Sequence, residues 1–116
     1  MSPRRSEPIR TKGHGRAPIL FAALGDETRF ALVTKLCDGE LRSISDLTHG
    51  SRLTRQAVTK HLRVLEKAGL LRCSRRGRES LFALDPEPVR ELEEYLSSVS
   101  REWDKALGRL KAFVEK

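Results

Sequence analysis

Polar and cationic side chains recur on one side of a segment in the middle of the chain. At helical spacing, one face carries Gln56, Thr59, Lys60, Arg63 and Lys67. Amide and hydroxyl groups can hydrogen-bond to base edges, whereas cationic groups pair with phosphates. The combination therefore indicates a surface that contacts nucleic acid.

The same segment has the features needed to hold that face in place. An apolar stripe on its other side consists of Val58, Leu62 and Leu65. The Thr54 hydroxyl can accept from a free N–H of the first turn, and Gly69 can adopt the positive φ that often ends a helix. These signals predict a helix over about 55–68. The residues expected to face a major groove are then Gln56, Thr59, Lys60 and Arg63, and Thr54 and Arg55 are expected at the N-terminal end, close to phosphate.

The residues before this helix predict three shorter helices. Pro18 to Leu24 is the first, and the second covers about 27–37 with Asp26 as its cap and an inner stripe of Phe30, Val33 and Cys37. After an extended segment over 40–42, Ser43 caps a third helix from Ile44 to Thr48. Residues 49–53 form a turn into the helix that carries the polar face. A helix, a tight Gly-containing turn and a second helix match helix-turn-helix organisation.

A pair of short strands is predicted after Gly69. The strands cover 70–74 and 79–84, and an arginine-rich segment from Arg75 to Arg78 lies between them. Arginines at one hairpin tip repel one another, so Arg76 and Arg78 are better explained as probes of phosphates or of a minor groove. A loop that is merely soluble is the alternative.

The last helix is predicted over about 86–115, with Asp85 as its cap. Its apolar residues follow a heptad pattern from Val89 to Phe113. A helix of about 28 residues spans roughly 42 Å, more than a domain of this size needs to cover its own core. We therefore expect a homodimer. Its interface is predicted to include Leu20, Leu92, Leu96, Val99, Trp103 and Leu110. The alternative is a helix that folds wholly onto its own domain.

Charge is concentrated in two parts of this 116-residue chain, whose net charge is +7. Residues 51–84 carry nine Lys or Arg and two Glu, and residues 1–17 carry five Lys or Arg and one Glu. Such confined basic stretches are expected for a polyanion partner. We interpret 1–17 as a disordered basic arm and 18–116 as one domain. Without a long apolar run or a signal peptide, a cytoplasmic protein with no membrane partner is expected.

Three motifs give the chain a family resemblance over about 18–116. LFAALGDETRFALVTKL, LTRQAVTKHLRVLEKAGLL and RCSRRGRESLFALDP resemble the opening helices, the reading helix and the wing of the ArsR-type (ArsR/SmtB) winged helix-turn-helix regulators. The resemblance implies a mainly α fold with five helices, a small two-stranded β-wing and a long C-terminal dimerisation helix. It also implies a dimeric repressor that binds a double-stranded DNA operator and is often released by an effector.

The metal-binding pattern of that family is missing from this sequence. The third helix reads ISDLTHG, without cysteine, and the last helix has neither His nor Cys. A soft-metal site needs several thiolates or imidazoles that converge on one ion. The chain thus looks like a non-metal-sensing member. We expect no metal site and no cofactor, and the sequence does not identify an effector.

Cys37 and Cys73 are expected to be buried structural residues on the second helix and the first wing strand. The alternative is a thiol switch, which would require nearby sulfurs or a thiol pKa lowered by arginines such as Arg72 or Arg75. No histidine has a nucleophile or carboxylate at useful spacing, so an enzyme is not expected. From another functional class, a protein–protein adaptor that uses the last helix remains an alternative to the DNA-binding regulator.

Overall fold

The computed structural model describes residues 15–115, which form five helices and a three-stranded antiparallel sheet. In chain order the elements are α1 (Ala17–Leu24), α2 (Glu27–Lys35), β1 (Arg42–Ser43), α3 (Ile44–Thr48), α4 (Arg55–Ala68), β2 (Leu71–Arg76), β3 (Glu79–Leu84) and α5 (Pro86–Val114). Most of the proposed N-terminal arm, residues 1–14, lies outside this described part. Ala17 already belongs to α1 and is buried.

Side-chain caps begin four of these helices at the residues that the sequence predicts. Asp26 accepts from the Arg29 N–H, and Thr54 accepts from the Ala57 N–H. Asp85 accepts from the Glu87 N–H at the start of α5. Ser43 forms a reciprocal pair with Asp46, in which each side chain accepts from the other residue's N–H. The predicted starts of α2 to α5 are therefore confirmed.

The predicted inner face of α2 is wrong at two of its three residues, since only Val33 packs against the core. Phe30 is 59% exposed, and Cys37 lies exposed beyond the end of the helix at Lys35. Leu32 and Leu36 enter the core instead. Apolar residues occur on several sides of this nine-residue segment, so their periodicity does not select one face. The packing of α2 against α1 and α4 selects it.

The sheet is larger than the two-stranded wing that the sequence predicts. Its strand order is β1-β3-β2, because Arg42 and Ser43 pair with Phe82 and Leu81 of β3. The hairpin of β2 and β3 is also longer at its tip, since β2 runs to Arg76, beyond the predicted end at residue 74. Only Gly77 and Arg78 remain in the turn, and Gly77 supplies the positive φ that such a short connection needs.

One hydrophobic core joins the helices to the base of the hairpin. Its fully buried side chains include Leu20, Leu36, Leu47, Leu62, Leu65 and Phe82. From α5, Leu92 reaches this core, whereas the second half of the helix leaves it. None of the helices within residues 15–115 combines the length and apolar character needed to cross a bilayer.

Candidate nucleic-acid interface

Helix α4 separates an apolar side from a polar side along its whole length. Val58, Leu62 and Leu65 are at most 1% exposed. Beyond the last turn, Gly69 takes φ 97°, and the N–H groups of Gly69 and Leu70 donate to carbonyls of that turn. The helix bounds, the cap at Thr54 and the left-handed Gly69 all match the sequence prediction. The buried stripe fixes which side of α4 faces outward.

The first half of the outward side carries polar groups with unused hydrogen-bonding capacity. Gln56 and Lys60 are exposed, and neither side chain forms a hydrogen bond or ion pair with any of residues 15–115. Thr59 is half-buried, and its hydroxyl donates to the Arg55 carbonyl at 2.8 Å. An open depression of about 830 Å³ lies over this end of the helix, lined by Thr54, Arg55, Gln56, Ala57, Thr59 and Lys60. Extended polar ligands can approach this surface without displacing an internal contact.

Arg55 connects α4 to the helix that precedes it. Its Nη1 donates to the Ser45 hydroxyl of α3 at 2.7 Å. The charge remains exposed while the side chain is tethered. Ser45 was not among the predicted site residues, because its only sequence signal is a hydroxyl in the first turn of a short helix. The tether brings a cation to the N-terminal end of α4, where the helix dipole also favours an anion.

Arg63, in the second half of α4, contacts the hairpin. Its Nη1 lies 2.8 Å from Glu66 Oε1 and 3.8 Å from Cys73 Sγ. Its guanidinium lies over the Phe82 ring, 5.4 Å from the ring centroid. The hydrogen bond to Glu66, and then the contact with Cys73, raise the pKa of this guanidinium. Arg63 therefore differs from Gln56 and Lys60, although it shares their side of the helix.

The tip of the hairpin presents the other predicted cations. Arg76 ends β2 opposite Glu79, and Arg78 follows Gly77 in the turn. Both arginines are exposed, and neither pairs with an acidic side chain within the described part of the chain. Arg72, at the base of the same strand, instead pairs with Asp85 at 3.1 Å. Within the hairpin, the free guanidinium groups thus lie toward its tip, and the one at its base is paired.

A further arginine, which sequence reasoning missed, holds the far end of α4. Arg16 forms a bidentate pair with Glu91 of α5, with contacts of 3.0, 3.2 and 3.1 Å. The same guanidinium lies close to Gly69, with Nη1 only 2.6 Å from the position that a Cβ on Gly69 would occupy. The hydrogen bond to Glu91 raises the Arg16 pKa. Residues 75 apart carry no local sequence signal for such a pair.

The predicted interface residues differ in their exposure, and Val99 is half-buried. Leu20 and Leu92 are at most 9% exposed and belong to the chain's own core. The exposed fractions of Leu96, Trp103 and Leu110 are 53%, 63% and 59%. Ile19, on α1, is also 59% exposed, and Phe21 of α1 meets the Tyr95 ring of α5 edge-on at 5.7 Å. The second half of α5 thus presents an apolar seam that this chain leaves uncovered within residues 15–115.

The cysteines are free thiols in different surroundings. The expected burial of Cys37 is wrong, since this residue is exposed, whereas Cys73 is half-buried against the core beside Arg63. Within residues 15–115, no three His, Cys, Asp or Glu side chains are grouped as a metal ion would require. His61 lies 3.5 Å from an Arg29 nitrogen and 3.9 Å from Asp26. These contacts are at the junction of α2 with α4.

Comparison with known proteins gives concordant matches. Residues 26–72 match the model of the family described as bacterial regulatory protein, arsR family. The chain is 34% identical over 85 residues to YuzN of Bacillus subtilis, an uncharacterized HTH-type transcriptional regulator, covering 68% of this chain and 92% of that protein. It is 32% identical over 90 residues to ArsR1 of Pseudomonas putida, an arsenic resistance transcriptional regulator, covering 74% and 70% of the two chains.

The fold gives the same assignment as the sequence. An ArsR-like transcriptional regulator from Rhodococcus sp. RHA1 superposes with a TM-score of 0.73 at 31% identity, covering 89% of this chain and 96% of that one. The matched region includes the helix-turn-helix, and the superposed region extends over most of the described chain. The chain belongs to the arsR family of bacterial regulatory proteins and is a DNA-binding transcription regulator of the winged helix-turn-helix type.

Proposed function

We propose that this protein is a dimeric repressor that binds one operator sequence in double-stranded DNA. The observation that carries the proposal is the unpartnered polar surface on the first half of α4. Gln56 and Lys60 there have no hydrogen-bond or ion-pair partner within residues 15–115. Exposed amide and ammonium groups over a buried apolar stripe suit a helix that lies in a major groove.

The proposed contacts divide between bases and phosphates. Gln56, Thr59 and Lys60 face the base edges, where an amide can pair with adenine and an ammonium with guanine. Thr54 and Arg55 approach phosphates at the N-terminal end of α4, supported by the tether from Arg55 to Ser45. A separate set at the wing tip contacts the backbone or an adjacent minor groove, and consists of Arg76 and Arg78.

The proposed dimer uses the uncovered seam of α5. Leu96, Val99, Trp103 and Leu110 lie in the interface, and α1 lies beside them. A second copy is the economical cover for a seam of this length, because the same surface on each subunit can be self-complementary. Two α4 helices are then expected about 34–36 Å apart, in successive major grooves on one side of the duplex.

Mobility-shift titration against genomic fragments tests DNA recognition. The proposal expects one fragment to bind at least about 10³-fold more tightly than random DNA, with affinity that falls steeply as salt rises. Lys60→Ala should weaken this binding. Lys35→Ala, which removes the same charge from α2, is the matched control and should change it little. Equal affinity for every fragment would favour the adaptor alternative.

Transcription in vitro tests the direction of regulation. With the operator placed over a promoter, added protein should reduce the transcript in step with operator occupancy. An increase in transcript would overturn repression while leaving DNA recognition intact. Loss of repression after peroxide, restored by a thiol reductant, would support the thiol-switch form of the repressor.

A further inference from the structure

The contacts of Arg63 join α4 to both strands of the hairpin. One terminal nitrogen lies between Glu66 on the same helix and the Cys73 sulfur on β2. The central carbon of the guanidinium lies over the Phe82 ring on β3, 5.4 Å from its centroid. Cys73 and Phe82 are themselves a directly opposed cross-strand pair. The Arg63 side chain therefore connects α4 to one cross-strand residue pair of the hairpin.

The chemistry of arginine suits this position better than that of lysine. A planar guanidinium can stack on an aromatic face while its edge donates hydrogen bonds, and an ammonium cannot reproduce that combination. Phe82 is fully buried, so the Arg63 side chain covers one side of a core residue. The nitrogen that contacts Cys73 is also committed to Glu66, which offsets its charge. This nitrogen is therefore less available to a base than the free amide of Gln56.

The pair Cys73 and Phe82, which Arg63 contacts, lies between the base and the tip of the hairpin. The tip pair, Arg76 and Glu79, lies three residue pairs beyond Cys73 and Phe82, or roughly 10 Å along the strands. At its base, the hairpin is joined to α4 through Gly69 and Leu70. β1 also holds β3 at Leu81 and Phe82, but that pairing ties the hairpin to β1 and α3 rather than to α4. The contacts of Arg63 with Cys73 and Phe82 add a side-chain attachment to α4 beyond the base of the hairpin, and this attachment fixes the angle between the hairpin and that helix.

We propose that Arg63 is a positioning residue that sets the angle of the wing relative to α4. It thereby holds the tip arginines where they reach DNA together with Gln56 and Lys60. This role rests on the proposed DNA recognition and replaces direct base reading by Arg63. It explains why a cation on the polar side of α4 is occupied by contacts within the protein.

Operator binding by charge-conserving variants separates positioning from direct contact. Arg63→Lys keeps the charge but loses the guanidinium that lies over Phe82, and should weaken binding about tenfold, close to the effect of Arg63→Ala. In a background lacking both Arg76 and Arg78, Arg63→Lys should change affinity less than twofold. Arg72→Lys is the matched control, since it makes the same exchange on β2 away from Phe82, and should also change affinity less than twofold.

Three results in this assay would overturn the proposal. Wild-type affinity in Arg63→Lys would indicate an ordinary phosphate contact, for which any cation suffices. An equal loss with and without the tip arginines would indicate that Arg63 acts independently of the wing. Relaxed discrimination at a single operator base pair in Arg63→Lys would likewise assign base reading to this residue.

Amide hydrogen exchange of the free protein tests positioning without DNA. Arg63→Lys should accelerate exchange about tenfold at the β2 and β3 amides between Cys73 and Phe82, while the amides of α4 keep their protection. Unchanged exchange in the hairpin would overturn the proposal even if operator binding were weakened. If the wild type bound no operator, the proposed function would fail, and this measurement would still decide whether Arg63 fixes the wing.

Discussion

Helices α4 and α5 have the same kind of sequence pattern but different amounts of cover. Each is amphipathic, and each begins at a side-chain cap. The stripe of α4 is at most 1% exposed at every position. On α5 the exposed fraction is 9% at Leu92 but 53% at Leu96 and 74% at Phe113, with Val99 half-buried between the last two. An apolar stripe in the sequence shows that one face of a helix needs to be buried. The fold determines whether residues of the same chain bury it.

The difference in burial between the two apolar stripes also suits the helices to different roles, presentation of a polar surface by α4 and association by α5. A fully covered stripe holds α4 rigidly, so that its polar side is presented in one orientation. The uncovered part of α5, residues 96–114, leaves roughly 28 Å of helix available for association. The following predictions test this division, beginning with the largest expected effect.

A charge on the seam of α5 should dissociate the proposed dimer. Leu96→Glu would place an unpaired carboxylate in the interface, at a cost of roughly 3–5 kcal/mol. Ser97→Glu introduces the same side chain on the neighbouring residue and is the control. Sedimentation equilibrium at micromolar concentration should give a dimer for the wild type and for Ser97→Glu. A stable folded wild-type monomer under these conditions would contradict the interface.

Truncation of a leucine should have different consequences on the two helices. Leu62→Ala on α4 should lower the free energy of unfolding by about 2–5 kcal/mol, because this residue is fully buried. Leu110→Ala on α5 should instead raise the dimer dissociation constant and leave the amide-exchange protection of α4 unchanged. Denaturant titration measures the free energy of unfolding, sedimentation measures the dimer dissociation constant, and amide hydrogen exchange measures the protection of α4. Loss of protection in α4 from Leu110→Ala would show that the two stripes are not separate.

The thermal stability of the protein should be sensitive to a single methyl group at Gly69, where the end of α4 meets Arg16 and its α5 partner Glu91. Gly69→Ala forces an L residue into positive φ, at a cost of about 1–2 kcal/mol, and crowds Arg16 against its Glu91 partner. Gly39→Ala is the control, since Gly39 also has positive φ but has open space around its Cβ position. The melting temperature should fall further for Gly69→Ala. In an Arg16→Ala background the difference between the two variants should disappear.

Acid should reduce the stabilisation that the N-cap side chain gives to α5 but not the stabilisation that the N-cap side chain gives to α4. The backbone hydrogen bond from Glu87, and then the Arg72 side chain, lower the pKa of Asp85, whereas the cap of α4 is a threonine that does not titrate in this range. The pKa of Asp85 is lower in the folded protein than in the unfolded chain, where it is about 3.9, so the ionised side chain stabilises the fold fully at pH values above about 3.9. This stabilisation disappears as the pH falls through the lower, folded-state pKa.

Thermal melts of cap variants measure this difference. Asp85→Asn keeps a capping side chain without the titration, so its melting temperature should approach that of the wild type as the pH falls below about 4. The deficit of Thr54→Ala should stay constant over the same range. A pH-dependent deficit for Thr54→Ala would show that another titrating group controls α4.

Metal ions should have no effect on either helix or on DNA binding. Zn²⁺, Ni²⁺, Cd²⁺ and arsenite are expected not to release the operator, because a tight site needs three or four ligands around one ion. Fluorescence anisotropy of the complex with each ion is the measurement, and a double variant with serine at positions 37 and 73 is the control. Stoichiometric release at micromolar ion that is lost in this variant would reveal a cysteine site.

The sequence alone determined the local features of this protein. The bounds of α4, its cap at Thr54 and its end at Gly69 follow from short-range hydrogen bonding and from the freedom of glycine. The α3 cap at Ser43 and the α5 cap at Asp85 have the same origin. The polar side of α4 could also be identified, because a strong 3.6-residue period defines both faces of a 14-residue helix.

Only the tertiary structure decided which neighbours these elements meet. The inner face of α2 is chosen by its packing on α1 and α4. The sequence predicts an extended segment over 40–42, but the pairing of β1 with β3 involves only two residues and has no local signal. Arg63 shares a face with Lys60, yet the return of the hairpin over the end of α4 gives it partners on β2 and β3. Periodicity is a property of adjacent residues, whereas partners are brought together by chain segments that are distant in sequence.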